Sequence, residues 1–290
     1  MGSTVYRPAR VIERTELHQV GGRPPFREYL RQLGERRHFI TMQAWSSATH
    51  QHRGMLLGNI WMILSPILDG LMYFLIFGVV LQVSRGIENF PAYLVVGILM
   101  FSFSARCLVS GTNSVNTGRS LVQAFTFPRA ALPLASVLRE TISTLPVVVA
   151  VFMLVLAISG PEILSPYWVM VPLIFLLQAW FNTGISLIVA RWGALFPDVR
   201  QLLTYVVRFL MYTSGVIFSI DRFGDAIPGL RPYMEANPLY ILLTMYRDVL
   251  LYDTLPDPSS WGILVLWSLA TSVFGMLYFW QAEVKYGRRR

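Results

Sequence analysis

The residue types that nucleotide, metal or nucleophilic chemistry requires are scarce in this sequence of 290 residues. A phosphate-binding loop contains a Gly-Lys step, whereas the only lysine, Lys285, follows Val284. The four histidines all lie in the polar N-terminal region: His18, His38, His50 and His52. They form no HExxH pattern, and we interpret His50 and His52 as solvated residues rather than metal ligands. No GxSxG nucleophile elbow occurs. The sequence therefore predicts a chain with neither catalytic residues nor a cofactor of its own.

Two charged residues lie inside apolar stretches, where a charge is costly unless it is paired or functional. Asp69 lies 12 residues from the outer end of the first stretch, and Arg106 lies 14 residues from the outer end of the second. These similar depths predict an Asp69–Arg106 ion pair that stabilises the bundle. Direct contact with a substrate is the alternative role for Asp69. Arg139 and Glu140 are placed at the inner membrane interface.

Aromatic residues recur at helical spacing in a later apolar stretch. Tyr205, Phe209, Tyr212 and Val216 follow one another at intervals of four, three and four residues. These intervals bring the four side chains to one face of a helix. From the residues alone, packing or contact with lipid explains such a face.

The composition is that of a membrane protein. Hydrophobic residues make up 54% of the chain, charged residues 14%, and the mean hydropathy is +0.51. A soluble domain carries about 25% charged residues because water must solvate its surface. Six stretches approach the roughly 20 apolar residues that a membrane-spanning helix needs: Leu56–Leu81, Ala92–Gly111, Leu134–Ile158, Val169–Ala190, Leu202–Phe218 and Trp261–Trp280. We therefore predict an all-α integral membrane protein with six transmembrane helices.

The distribution of basic residues predicts the orientation of these helices. An even number of spans puts both termini on one side, and that side holds 18 arginines and lysines against four on the other. We therefore expect a multi-pass protein of the cytoplasmic membrane with both termini in the cytoplasm. The net charge of +8 then reflects topology and argues against nucleic acid as a partner. The predicted domains are a cytoplasmic segment (1–55), a transmembrane bundle (56–281) and a basic cytoplasmic tail (282–290).

Two segments outside the spans have apolar patterns of their own. Residues 26–47 predict an N-terminal amphipathic helix at the membrane interface, interrupted near Gly34 and Arg37. Its apolar face contains Phe26, Leu30, Leu33, Ile40 and Ala44. The outer connection between spans five and six, Ser219 to Ser260, contains the apolar stretch Leu239–Met245, which is too short to span. We predict that this stretch re-enters the membrane from outside, shielded by protein.

Four motifs, in order along the chain, carry a family resemblance. They are RGMLLGNIWMILSP (Arg53–Pro66), FPRAALPL (Phe127–Leu134), FPDVRQ (Phe196–Gln201) and NPL followed by YR (Asn237–Leu239 and Tyr246–Arg247). Together they resemble the permeases of ABC exporters that move lipid-linked polysaccharide of the O-antigen, teichoic acid and galactan type. The resemblance covers residues 53–247, and the first 25 residues match nothing in it. Asp69 stands where the family usually has an apolar or amide residue.

The resemblance implies roles for three groups of residues. A short cytoplasmic helix and the segment after it would couple the chain to an ATPase: Arg119, Leu121, Val122, Phe125, Phe127, Pro128 and Arg129. Aromatic side chains on which sugar rings stack would line a conduit: Trp61, Tyr73, Tyr205, Phe209 and Tyr212. Arginines at the inner mouth would hold a lipid diphosphate: Arg31, Arg36, Arg37 and Arg53.

The resemblance also implies partners. Two copies of the chain would form the conduit, and two ATP-binding-cassette subunits carrying Mg-ATP would drive it. The cargo would be a polysaccharide on a polyprenyl diphosphate within membrane lipid, and the arginine-rich composition of a GC-rich genome favours galactan. Two other classes stay open: an ion-coupled secondary transporter, which would need paired intramembrane acids, and a membrane enzyme acting on lipid-linked sugars, which would need a nucleophile or a metal.

Overall fold

The structure, a computed structural model, describes residues 24–50, 60–80, 87, 89–124, 127–196, 198–217 and 230–287. Within these ranges the chain is helical and contains no strand. The helices in these ranges are α1 (Phe26–Glu35), α2 (Arg37–His50), α3 (Trp61–Tyr73), α4 (Phe90–Thr117), α5 (Arg119–Ala124), α6 (Ala131–Ser159), α7 (Val171–Leu195), α8 (Val199–Thr213), α9 (Leu230–Glu235), α10 (Pro238–Leu250) and α11 (Pro258–Gln281). A π-helical segment, Phe74–Val80, extends α3.

Four helical segments are long and apolar enough to cross a membrane: Phe90–Leu121, Ala131–Ser159, Pro166–Leu195 and Pro258–Gln281. They coincide with the second, third, fourth and sixth predicted spans. In the first predicted span, Ile63–Phe77 forms a shorter apolar helix. The fifth span was predicted as Leu202–Phe218, whereas α8 begins at Val199 and ends at Thr213.

The end of α8 is set by a turn that the apolar pattern does not reveal. The chain turns at Ser214 and Gly215, and Gly215 adopts a φ of +65°, a conformation that favours glycine. Val216 follows the turn and is fully buried. The 15 residues of α8 therefore extend over about 22 Å, which is less than the hydrocarbon core of a typical bilayer.

Small residues bring three of the long helices into close contact. A side chain at Gly184 of α7 would collide with the backbone of Ser272 in α11, and one at Gly275 would collide with the carbonyl of Gly184. On α7, a side chain at Gly193 would collide even more closely with the carbonyl of Thr112 in α4. Small residues are favoured between membrane helices because they let backbones approach. Helix α7 is therefore held tightly between α4 and α11.

Helix α10 is enclosed by the bundle. Its first turn is capped by Asn237, whose side chain accepts a hydrogen bond of 3.0 Å from the Leu239 amide. The connection from α9 to α10 meets the middle of α11, where the Trp267 indole donates to the Ala236 carbonyl at 3.2 Å. From Leu242 to Leu250 every residue of α10 is buried except Thr244 and Asp248, which are half-buried. This short helix therefore lies between the long helices and not over their ends.

The predicted N-terminal amphipathic helix is divided into two helices, α1 and α2, which meet at Arg36. Of its predicted apolar face, Leu33 is buried but Leu30 is exposed. Tyr29 is the fully buried residue of α1, because its ring packs with the C-terminal residues Phe279 and Tyr286 in one cluster. The face was predicted from purely apolar residues, so the sequence pattern missed an amphipathic side chain whose hydroxyl finds buried partners.

Candidate functional site

The aromatic face predicted on the fifth span is present and points away from the rest of the chain. Tyr205, Phe209 and Tyr212 have 60%, 66% and 47% of their surface exposed, while Leu203 of the same helix is buried. Val216, the fourth predicted member, lies beyond the turn and is not part of this face. Packing against other described helices of the same chain therefore does not account for the three aromatic side chains.

Polar residues share this exposed face of α8. Arg208 and Thr204 are exposed, and Arg208 lies nine residues after Val199, the first residue of the helix. The sequence placed Arg208 at the start of the span, whereas the structure places it about 14 Å along α8. A surface that mixes an arginine with tyrosines is poorly suited to hydrocarbon and well suited to water and sugars.

The two other aromatic residues predicted to line a conduit are partly covered. Trp61 begins α3 and is half-buried. Tyr73 ends α3 and packs against a buried cluster formed by Phe90, Tyr93 and Leu94 at the start of α4. The structure therefore gives the aromatic face of α8 a larger free surface than either of these side chains.

The intramembrane arginine pairs with a different carboxylate from the one predicted. Arg106 Nε lies 3.4 Å from Glu140 Oε2, and its two Nη atoms donate to Ser102 Oγ at 2.8 Å and Thr144 Oγ1 at 3.0 Å. Asp69 is exposed on α3 and forms no ion pair with a described residue. The predicted Asp69–Arg106 pair is therefore corrected to Arg106–Glu140.

Glu140 reaches Arg106 because of its position along α6. Glu140 was placed at the inner interface, but it lies nine residues after Ala131 in α6 and is buried. That position is about 14 Å along the helix, at the level where α6 packs against α4. Arg139 also contacts the Glu140 carboxylate. Two arginines therefore share one acid inside the bundle.

This cluster borders a cavity of about 670 Å³ between α2, α4 and α6, whose lining contains both polar and apolar side chains. Most polar lining residues of α4 recur at helical spacing on one stripe, with Ser114 beside it: Ser102, Arg106, Ser110, Asn113 and Thr117. Gln43 and Ser47 line it from α2, and Ser136 lines it from α6. Sequence reasoning missed this cavity. The signal for it was the repeat of polar residues every three to four positions in a predicted span.

The predicted ATPase-coupling segment is partly described. Helix α5 contains Arg119, which is exposed, and Leu121, which is half-buried. The side chain of Val122 and the whole of Phe125 lie outside the described residues. Phe127 packs on Phe39 of α2 with ring centroids 5.5 Å apart. The short helix implied by the family resemblance is therefore present, with a basic residue at its surface.

The segment after α5 is tied to both ends of the chain. Glu283 Oε1 accepts a hydrogen bond of 2.9 Å from the Arg129 amide, and the Arg129 guanidinium donates to the Glu283 carbonyl. The Tyr29 hydroxyl donates to Glu283 Oε2 at 2.9 Å and accepts from the Ala130 amide at 3.1 Å. Burial raises the pKa of Glu283 and that of the Tyr29 hydroxyl. Pro128, another predicted member, is buried beside this network.

The arginines predicted at the inner mouth do not share one environment. Arg31 is held on α1 by Glu28 at 2.8 Å and by Glu35 at 3.8 Å. The hydrogen bond from Arg31 lowers the pKa of the Glu28 carboxyl. Arg36 and Arg37 are exposed where α1 meets α2. Arg53 lies outside the described residues.

A fully buried arginine lies in α10 and was not among the predicted site residues. The Arg247 guanidinium carbon lies 3.4 Å above the centroid of the Tyr93 ring, and Nη2 donates to the Val216 carbonyl at 3.1 Å. Its neighbour Tyr246 donates to Gln178 Oε1 at 2.9 Å. These contacts join α10 to α4, to α7 and to the turn after α8. The family motif contained both residues but gave no sign that Arg247 would be buried.

The described part of the chain shows no group of three or more His, Cys, Asp or Glu residues that could hold a metal ion. The side chain of His50 and all of His52 lie outside that part. The structure brings together an aromatic and polar helix face, a cavity with polar and charged lining residues, and the hydrogen-bonded network around Glu283. Such features suit binding and movement of a polar ligand.

Known proteins resemble this chain over most of its length. The sequence model of the family described as ABC-2 type transporter matches residues 40–251. The O-antigen export system permease protein RfbA of Myxococcus xanthus is 26% identical over 234 residues, which cover 77% of this chain and 86% of that protein. A protein of the same name from Klebsiella pneumoniae is 25% identical over 233 residues, covering 79% and 86%. The polysialic acid transport protein KpsM of Escherichia coli is 22% identical over 228 residues, covering 77% and 85%.

Proposed function

Because this chain belongs to the ABC-2 type transporter family, we propose that it is the permease subunit of an ATP-driven exporter of lipid-linked polysaccharide. The names of its relatives support this function, since they describe permeases for O-antigen export and a transport protein for polysialic acid. The scarcity of catalytic residue types supports a subunit that moves its ligand without changing it.

The observation that carries the proposal is the exposed face of α8. Tyr205, Phe209 and Tyr212 are exposed on the described part of the chain and share their face with Arg208. Tyrosine offers a flat apolar ring and a hydroxyl, so it can stack on a sugar and also form a hydrogen bond with it. Contacts of this kind are individually weak, which lets a long polymer slide past them. The face is therefore the wall of a glycan conduit, completed by a second copy of the chain.

The membrane arrangement follows from the same proposal. Six spans cross the cytoplasmic membrane with both termini in the cytoplasm: α3, α4, α6, α7, α8 together with the turn that follows it, and α11. The α9–α10 hairpin re-enters the membrane from outside, as its contact with the middle of α11 through Trp267 supports. Non-helical backbone is tolerated at that depth because surrounding helices shield it. The buried contacts of Arg247 hold this hairpin against α4.

Energy enters through the cytoplasmic surface around α5. A separate ATP-binding-cassette subunit, which carries Mg-ATP, docks on α5 near the exposed Arg119. The Glu283 network then fixes the segment that leads from α5 into α6. Movement of the ATPase is thereby transmitted to α6 and to the bundle. A closed complex of two permease and two ATPase chains fits the two-fold symmetry that is common among oligomers.

The cargo is a polysaccharide carried on a polyprenyl diphosphate. O-antigen, galactan and teichoic acid fit the four motifs, and the names of the relatives support the O-antigen class. Arg36, Arg37 and Arg53 at the inner mouth attract the diphosphate before it enters the conduit, with Arg31 contributing once it leaves its local carboxylates.

The proposed function is tested by depleting the chain in its native host. Lipid-linked polysaccharide should accumulate on the cytoplasmic side of the membrane while its synthesis continues. Restoring the chain should clear this pool. If depletion leaves export unchanged, or if the glycan on the lipid changes in structure instead of location, the exporter function is rejected and an enzymatic role is favoured.

A further inference from the structure

Polar and charged side chains form part of the lining of the cavity between α2, α4 and α6, where a membrane bundle is normally filled with apolar side chains. Two arginines and a series of hydroxyl and amide groups line its volume of about 670 Å³. Polar and charged residues at such depth mark ligand or ion pathways because they are costly to keep without a function. The lining therefore calls for a polar occupant.

The charges of the lining favour an anion. Arg106 contacts Glu140, Ser102 and Thr144 through one bond from each of its three nitrogen atoms, so it has fewer unused donors than Arg139. Arg139 contacts only Glu140 among the described residues, through one of its three nitrogen atoms. The cluster of two arginines and one carboxylate carries a net charge of +1, and Arg139 retains donors that the protein does not use.

The remaining polar groups also supply hydrogen-bond donors. Ser47 of α2 lines the cavity and carries a hydroxyl group. Asn113 lies on the polar stripe of α4. Phosphate oxygens are recognised by guanidinium groups that donate two parallel hydrogen bonds and by hydroxyl donors around them. The cavity has both.

We propose that this cavity binds the phosphate group of a lipid headgroup, with Arg139 donating to the phosphate oxygens and Glu140 holding Arg106 beside them. The Glu140 carboxylate faces the same space and repels an anion, but the two arginines outweigh its charge. Ser47 and Asn113 complete the set of donors.

A neighbouring groove has the chemistry of a hydrocarbon site. It has a volume of about 630 Å³ and lies on the adjacent face of α2 and α6, where Met42, Trp45, Leu138 and Ile142 line it. Leu138 and Ile142 continue along α6 in a helical stripe with the exposed Leu145. A lipid whose phosphate occupies the cavity can therefore lay its chain along α6.

Two sources could supply this phosphate. The polyprenyl diphosphate of the cargo carries two phosphate groups, whereas a membrane phospholipid such as phosphatidylglycerol carries one. Assigning the cargo to the cavity rests on the proposed export function; phosphate binding itself does not. We assign the cavity to the diphosphate because the cluster has two guanidinium groups.

The test measures lipid binding to the purified full-length chain in neutral detergent by native mass spectrometry. The probes are undecaprenyl diphosphate and phosphatidylglycerol. Arg139→Gln removes the uncommitted guanidinium while leaving the Arg106–Glu140 pair, and Ser136→Phe fills the cavity from α6 without touching either arginine. Arg27→Gln is the matched control because Arg27 is an exposed arginine outside the cavity.

We expect Arg139→Gln to raise the Kd for undecaprenyl diphosphate by about tenfold, the effect of losing one charged hydrogen bond. Ser136→Phe should weaken binding as well, and Arg27→Gln should leave it unchanged. If both cavity variants lower only phosphatidylglycerol binding, the phosphate site is supported but the cargo assignment is overturned. Unchanged affinity for both lipids in both cavity variants overturns the phosphate site. Polysaccharide export by the wild-type chain is measured in a separate experiment in cells. A failure of the cavity assignment therefore does not reject the proposed export function.

Discussion

The Tyr29 hydroxyl donates a hydrogen bond of 2.9 Å to Glu283 Oε2, joining residues 254 positions apart. The same hydroxyl accepts from the Ala130 amide, and Glu283 also accepts from the Arg129 amide. The first helix, the C-terminal segment and the start of α6 therefore meet at one buried point. This network follows α5, the helix on which we propose that the ATPase docks. We therefore expect that loss of the network would weaken the coupling of ATP hydrolysis to transport.

Replacing Tyr29 by phenylalanine should destabilise the chain by about 1–3 kcal/mol, because a buried amide and a buried carboxylate each lose a hydrogen-bond partner. Thermal unfolding of the purified chain in detergent measures this loss. Tyr233→Phe is the control, since Tyr233 is exposed on α9. Equal unfolding temperatures for Tyr29→Phe and wild type would show that the network contributes nothing to stability.

Glu283 should make stability depend on pH. Burial raises the pKa of this carboxyl above its ordinary value of 4.5, against the opposing effects of Arg129 and Tyr29. Because the folded state holds the Glu283 proton more tightly than the unfolded state, protonation of this carboxyl stabilises the fold. This stabilisation is fully present below pH 4.5 and is lost as the pH rises through the raised pKa. Glu283→Gln should remove this part of the pH dependence, whereas Glu35→Gln, at an exposed position on α1, should not. Parallel unfolding-against-pH curves for wild type and Glu283→Gln would rule out this titration.

The sequence predicted the features that depend on long apolar runs and failed where a partner had to be identified. The helical spans around α4, α6, α7 and α11 follow from length and hydropathy. The partner of Arg106 did not follow, because depth along a helix does not say which neighbour faces it. Glu140 is the partner because the face of α6 that carries it is turned towards α4. The rotation of one helix relative to another cannot be predicted from either segment alone.

The aromatic face of α8 was predicted more successfully. Tyr205, Phe209 and Tyr212 share one face because their spacing is local and helical. The loss of Val216 from that face depended on Gly215, whose positive φ ends the helix. Likewise, the burial of Arg247 depends on the placement of α10 between distant helices, so local pattern could not reveal it.

Glu140→Gln should lower stability by about 1–3 kcal/mol, because Arg106 loses its ion-pair partner inside the bundle. The loss is below the 3–5 kcal/mol typical of breaking a fully buried pair, since 40% of the Arg106 side chain is exposed to the cavity. Adding Arg106→Gln should restore part of the loss, since the uncompensated charge is then gone. Thermal unfolding measures both, with Asp69→Asn as a control that should be neutral. A double variant less stable than Glu140→Gln would contradict the pair, as would a strong effect of Asp69→Asn.

Arg119 and Arg129 should have separable effects. Arg119 is exposed on α5, so Arg119→Glu should weaken binding of the ATPase subunit while the chain unfolds at its normal temperature. Arg129→Glu introduces a second carboxylate beside Glu283, so its main effect should be a lower unfolding temperature of the chain itself. Co-purification of the ATPase and thermal unfolding are measured on the same preparations. If Arg119→Glu leaves ATPase binding intact, α5 is not the docking helix.

The central claim is that this chain moves a glycan along the exposed face of α8. The most direct test uses proteoliposomes that contain the chain and its ATPase. The measured quantity is the rate of ATP-driven transport of lipid-linked polysaccharide into these vesicles, divided by the amount of folded complex. Replacing Tyr205 and Tyr212 together by leucine removes the rings but keeps an apolar helix of similar bulk. We predict that the rate falls by about tenfold or more, the effect of losing two aromatic contacts, while stability and ATPase binding stay normal and Tyr233→Leu transports as wild type. An unchanged transport rate per folded complex, with the loss appearing in stability or assembly instead, would contradict the claim.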